Sequence, residues 1–265
     1  MERVAVKDLL NNNMKKIIVA NWKMNPRNLK EARRIFSNIE KAASKMLNVE
    51  TIICLPFVYI SSLKSQVSSL KIGAQDVFWG DKGAYTGEIS ASMLKNLGVQ
   101  YVIVGHSEER QDHPEEINKI INKKISQALK NNLKIILCVG EKKRDSKRKY
   151  LSFIKKEIIE GLKGIDKRDA NNIIIAYEPI WAIGEKAVKS DKPEDLYNIV
   201  FFIRKTLSSF LNKDTAENIP ILYGGSVNVD NAYNFLKNGG VQGLLVGRSS
   251  LEEKIFSKIL KDANI

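Results

Sequence analysis

Eight short apolar runs, almost unbroken by polar residues, recur along the chain at 16–20, 51–55, 71–75, 100–104, 134–138, 173–177, 219–223 and 243–246. A strand with one wet face alternates apolar and polar residues, whereas continuous runs such as Ile173-Ile-Ile-Ala-Tyr177 belong to strands covered on both faces. Between the runs the period changes. Leu29, Ala32, Phe36, Ile39, Ala43 and Met46 recur every three or four positions. Ile117, Ile120, Ile121, Ile125, Ala128 and Leu129 do the same behind Pro114, the spacing of one helix face. Similar patterns fill 149–162, 194–211, 229–237 and 250–260. The segment 58–70 is weaker, and 77–90 reads as a long loop before a short helix at 90–97.

Eight strand–helix units in 265 residues predict an α/β chain closed into a single-domain (β/α)8 barrel rather than an open doubly wound sheet. No shift in composition marks an internal boundary. The barrel is expected over 14–265, behind an extension at 1–13 that reads as disordered or as a short helix. With 43% hydrophobic and 28% charged residues, a chain this long can bury a large core without staples.

The same composition narrows the function. Cys54 and Cys138 sit in apolar runs and form neither a disulfide framework nor a metal spacing, so they read as buried thiols in a reducing compartment. The formal charge of +13 admits a polyanionic partner, but the lysines are scattered, and the one dense cluster, at 142–149, reads as a solvated helix start. No apolar run reaches the length of a membrane span, and 1–13 carries Glu2 and Asp8 with no apolar core of a signal peptide. The expectation is a cytoplasmic protein with no nucleic-acid, membrane, metal or cofactor partner.

Chemistry in a parallel barrel is built where the strands end. There the apolar runs break into Asn21-Trp-Lys23, Gly105-His106-Ser-Glu108, Glu178-Pro179, Gly224-Gly-Ser226 and Gly247-Arg248-Ser249. Taken singly, each has a bland reading: a satisfied core histidine, a snorkelling lysine, ordinary glycine turns. Together they place a carboxylate base, an imidazole and an ammonium around one mouth, with backbone N–H groups of two glycine-rich turns that can cradle a phosphate. Such a set suits proton abstraction next to the carbonyl of a small phosphorylated sugar.

At these residues the chain resembles the triosephosphate isomerase family. The resemblance runs from about Lys15 to the C-terminus, through Ala20-Asn-Trp-Lys-Met-Asn25, Gly73-Ala-Gln75, Gly83-Ala-Tyr-Thr-Gly-Glu88, Gly105-His-Ser-Glu108, Cys138-Val-Gly-Glu141, Ala176-Tyr-Glu-Pro-Ile-Trp-Ala-Ile-Gly184, Tyr223-Gly-Gly-Ser-Val227 and Leu245-Val-Gly247. It implies the TIM-barrel fold and the interconversion of glyceraldehyde 3-phosphate and dihydroxyacetone phosphate. It implies Glu178 as the base that shuttles the proton, and His106 as the electrophile, the role a neutral imidazole takes in that family. Lys23 would face the substrate oxygen and phosphate, Asn21 would order the pocket and Glu108 would support Lys23. Gly184, Ser226, Gly247 and Arg248 would offer N–H groups to the phosphate. The segment 179–190 would close over substrate, and the loop at 76–88, with Thr86 near its tip, would insert into a second subunit of a homodimer.

The chain also departs from the family. After Gly184 it reads Glu185-Lys-Ala-Val-Lys-Ser190 where Thr-Gly-Lys is usual, Arg248 stands at a usual glycine, Glu109 reverses a usual arginine, and Gln242 takes the place of the aspartate that usually pairs with Arg204. Two other readings fit parts of the pattern. Another phosphate-binding barrel isomerase or epimerase would share the last two turns without needing Lys23, His106 and Glu178. A barrel with decayed activity, acting as a binding protein, would account for the charge.

Overall fold

The computed structural model describes residues 15–63, 69–183 and 191–265. The extension expected at 1–13, Gly184 and the altered segment 185–190 lie outside the described residues.

All eight strands form: β1 (Lys16–Asn21), β2 (Val49–Leu55), β3 (Leu70–Ala74), β4 (Tyr101–Val104), β5 (Lys134–Val139), β6 (Ile173–Tyr177), β7 (Ile221–Tyr223) and β8 (Gly243–Val246). They pair in chain order into a closed barrel. The seam between β1 and β8 is parallel like the rest, with Ile17 opposite Gly243 and Ala20 opposite Val246. Gly243 is what lets these strands approach, because a Cβ there would lie 1.8 Å from the Ile17 carbonyl oxygen.

The continuous apolar runs divide by parity. Val19, Ile52, Cys54, Tyr101, Ile103, Ile136, Cys138, Ile174, Ala176, Leu222 and Leu245 form one buried cluster, the barrel interior. Their neighbours in sequence, among them Ile18, Ile53, Val102, Ile135, Ile175 and Leu244, join a larger cluster with the helices outside. Both faces of every strand are therefore dry, which is why alternation is missing from the sequence. Burial pushes the thiols of Cys54 and Cys138 up, so both stay protonated and unreactive.

The helices are α1 (Leu29–Ala43), α2 (Phe57–Ile60), α3 (Ala91–Asn96), α4 (Ser107–Asp112), α5 (Asn118–Lys130), α6 (Lys149–Gly161), α7 (Pro193–Ser208), α8 (Lys213–Asn218), α9 (Ala232–Asn238) and α10 (Glu253–Ala263). The long ones follow the apolar stripes. In α1, Ala32, Ile35, Phe36, Ile39 and Ala43 are buried, and the Asn28 side chain caps the first turn by accepting the Glu31 N–H at 2.9 Å. Pro193 opens α7, where its missing N–H costs nothing. The periodic pattern does not reveal α4 or α8, since six residues span too few turns to show a stripe. Strand β7 starts two residues later than its apolar run, beyond Pro220, which has no N–H to give a ladder.

Gln242 proves to be a working partner of Arg204. The guanidinium donates to Gln242 Oε1 at 2.9 Å, to the Ala216 carbonyl at 2.6 Å and to the Ile219 carbonyl, while its Nε is buried with no partner. Gln242 Oε1 also accepts the Ile221 N–H at 2.9 Å, so one amide oxygen ties α7 to the start of β7. With neutral acceptors only in hydrogen-bond contact, burial pushes Arg204 down to about 10. Gln242→Leu would strand two buried donors and should lower the unfolding free energy by about 2–4 kcal/mol in urea titration, with the barrel intact by circular dichroism.

Candidate active site

The C-terminal ends of β1, β4, β6, β7 and β8 surround one cavity of about 480 Å³, lined by Asn21, Lys23, His106, Glu178, Ser226 and Gly247 among others. At the end of β1 the chain turns sharply. Asn21 is buried and its Oδ1 accepts the Lys23 N–H at 3.0 Å. Lys23 takes a left-handed backbone conformation, φ 53°, unusual for a side chain of this size. Gln75 Nε2 then donates to the Lys23 carbonyl at 2.9 Å and to the Cys54 carbonyl at 3.1 Å, which holds that strained turn in place. The Lys23 ammonium reaches Glu108 Oε1 at 2.5 Å.

His106 ends β4 and caps α4. Its Nδ1 accepts the Glu108 N–H at 3.2 Å, so the neutral ring carries its proton on Nε2. Nε2 lies 3.1 Å from Glu178 Oε1. The other Glu178 oxygen accepts the Ser107 N–H at 3.0 Å. Glu178 is 2% exposed, and the turn after β7 crowds it: a Cβ on Gly224 would lie 3.0 Å from Glu178 Cγ. Lys23, Glu108, His106, Ser107 and Glu178 thus form one continuous chain of contacts, although they come from three strand ends.

Ser226 N–H donates to the Ala182 carbonyl at a long 3.3 Å, a weak bond open to exchange. Gly247 lies against Lys23, and a Cβ there would sit 3.5 Å from Lys23 Cε. Arg248 is exposed and opens a 3₁₀ turn over Arg248–Leu251. It is not among the described non-glycine residues with positive φ, so an arginine is accommodated where glycine is usual. Thr86 is exposed in the long loop, away from the cavity. Gly184 lies outside the described residues.

The strand-end reading missed what stands behind this set. Arg110 Nε donates to the Gly105 carbonyl at 2.8 Å, and its Nη2 to the Cys138 carbonyl at 3.2 Å. Glu157, 2% exposed on α6, accepts the Gly140 N–H at 2.8 Å and places its other oxygen 3.4 Å from Arg110 Nη1. The signal was available, because Glu157 falls on the buried stripe Ile154, Glu157, Ile158, Gly161, where an acid needs partners. No group of three or more acidic, histidine or cysteine side chains able to hold a metal occurs among the described residues.

Burial pushes Glu157 up to about 7 from an ordinary 4.5; Arg110 and the Gly140 N–H oppose the rise, and Glu178 and Glu141 add to it. A carboxyl raised in the folded chain favours folding fully below its ordinary pKa, and that contribution is lost as the pH climbs to the raised value. In urea unfolding, the fall in stability between about pH 4.5 and about pH 7 should therefore shrink by roughly 2–3 kcal/mol in Glu157→Gln.

Comparison with known proteins agrees over nearly the whole length. Residues 16–263 match the family model described as triosephosphate isomerase. The triosephosphate isomerase of Dictyoglomus thermophilum is 42% identical over 250 residues, covering 93% of this chain and 99% of that one. That of Alkaliphilus oremlandii is 39% identical over 250 residues, 93% and 98% of the two chains. That of Fusobacterium nucleatum is 40% identical over 255 residues, 95% and 100% of the two.

Proposed function

The chain belongs to the triosephosphate isomerase family, and on that premise we propose how its residues interconvert D-glyceraldehyde 3-phosphate and dihydroxyacetone phosphate, a step of glycolysis and gluconeogenesis. Glu178 removes a proton from the carbon next to the carbonyl, leaving an enediolate, and returns it to the neighbouring carbon. No electron leaves or enters, so the step calls for no cofactor. What carries this reading is the meeting of Glu178, His106 and Lys23 at one cavity.

Each group has a role that its contacts support. His106 Nε2–H now faces Glu178; a substrate oxygen placed there would take over that donor as charge develops on it. Glu178 would in turn be freed on that side, with the Ser107 N–H as its remaining anchor. Lys23 would exchange Glu108 for the substrate oxygen and phosphate, with Glu108 supporting it until then. Asn21 orders the turn that aims Lys23. Ser226, Gly247 and Arg248 offer backbone N–H groups to the phosphate, Ser226 by giving up Ala182.

The protein acts as a homodimer in the cytoplasm in this reading. Phe78, Trp79 and Tyr85 pack on one another with ring centroids 4.7–5.5 Å apart and stiffen the loop that carries Thr86. Tyr85, Met93 and, beside the active site, Met24 are 43%, 54% and 94% exposed, apolar surface that a second copy would cover. Sedimentation of the full chain should give twice the single-chain mass at micromolar concentration, and a single-chain mass would overturn the dimer.

In a coupled assay of glyceraldehyde 3-phosphate turnover, Glu178→Gln should lower kcat roughly 100- to 10,000-fold while inorganic phosphate still binds. Lys23→Ala should raise KM sharply. Near wild-type kcat in Glu178→Gln would rule Glu178 out as the base.

A further inference from the structure

Behind the cavity, one buried carboxylate, Glu157, holds the Gly140 N–H and Arg110, which lie against Glu178 and the turn before His106, without itself lining the cavity. Glu178 is gripped by the turn that follows β5. Its N–H donates to the Val139 carbonyl at 2.8 Å, and two residues on, the Ile180 N–H donates to the Glu141 carbonyl at 3.1 Å. Between these bonds lies Gly140, packed so tightly that a Cβ on it would lie 1.8 Å from the Glu178 carbonyl oxygen. Any shift of the Gly140 peptide is therefore a shift of Glu178. The Gly140 N–H is held from outside the barrel by Glu157 Oε2, at 2.8 Å.

The second Glu157 oxygen faces Arg110. Arg110 in turn holds the Gly105 carbonyl, one residue before His106, and Asn118 Oδ1 at 2.8 Å each. Gly105 itself has a positive φ of 70°, a conformation that a side chain would resist, so the bond to its carbonyl fixes a turn with few alternatives. Glu157 thus joins the peptide packed against the Glu178 carbonyl to the arginine that braces the peptide before the imidazole.

Resting on the assignment of Glu178 and His106 above, we propose that Glu157 is a positioning residue for proton transfer: through Gly140 and Arg110 it sets the distance between Glu178 and His106. A reacting pair held a fraction of an ångström off its working geometry loses rate in the chemical step more than it loses affinity. Glu157 makes no contact with the cavity, so it should leave phosphate recognition alone.

The test compares wild type, Glu157→Leu and Glu157→Gln in the coupled isomerase assay, with inhibition by inorganic phosphate measured alongside. Glu157→Leu removes the acceptor of the Gly140 N–H and should lower kcat at least tenfold, with KM and the phosphate inhibition constant within twofold of wild type. Glu157→Gln keeps an oxygen for that N–H and should hold kcat within threefold. Two results overturn the proposal: kcat within twofold in a folded Glu157→Leu, or a loss in either variant that appears in KM and phosphate binding instead of kcat. If Glu157→Leu does not fold, Arg110→Lys serves in its place. It keeps the charge but can no longer hold Gly105, Cys138 and Asn118 together, so the same split in kcat is expected, and an unchanged kcat counts against the proposal. An inactive wild type would sink the assignment of the reaction itself, a different failure from either of these.

Discussion

Everything in this molecule depends on the pairing of the first strand with the last. A parallel sheet left open would expose two edges and would scatter its strand ends along a line. Closing it through β1 and β8 brings the ends of β1, β4, β6, β7 and β8 around one mouth. The closure rests on Gly243, where only a hydrogen atom fits against the Ile17 carbonyl, and on an interior filled by medium-sized side chains such as Ile52, Ile103, Ile136 and Leu222. That interior is packed, and at the mouth Asn21, Lys23, His106 and Glu178 converge on one cavity.

The mouth is costly to maintain. Glu141, Glu157 and Glu178 are each 2% exposed: two follow the ends of β5 and β6, and the third reaches the Gly140 N–H between them from α6. Buried charge of one sign is tolerable only with donors on every oxygen. Glu141 receives the Tyr177 hydroxyl at 2.9 Å, the Trp181 indole N–H at 2.9 Å and Arg144 at 3.0 Å. Arg144 also binds Asp191, just ahead of α7, and stacks over the Trp181 ring at 4.7 Å. Glu157 has Gly140 and Arg110; Glu178 has Ser107 and His106. Glu178 alone has partners that a substrate could take over, which is the position a base must occupy.

Much of this was legible in the residues. The eight apolar runs foretold the eight strands because double-sided burial leaves a mark that does not depend on register. Singly, Lys23, His106 and Glu178 each had an ordinary structural reading; it was their joint occurrence at the ends of such runs that marked one mouth, and the cavity does bring the three together. The short helices α4 and α8 left no periodic trace. Nor could the sequence announce that Gln242 would serve Arg204 and the Ile221 N–H with a single oxygen, since that depends on two chain segments meeting. Glu157 was overlooked because it sits mid-helix, far from any strand end, and its importance comes only from what lies across from it. The separations of contacts in space, not their order in the chain, decide such roles.

The turn at Lys23 sets two demands against each other. Its backbone occupies a region that costs a lysine on the order of 1 kcal/mol and would cost glycine nothing. Glycine, however, carries no ammonium. A variant chosen only for endurance to heat would be drawn to abandon the very residue proposed above to meet the substrate's charge, so on that reading robustness and turnover cannot both be maximal at this one torsion.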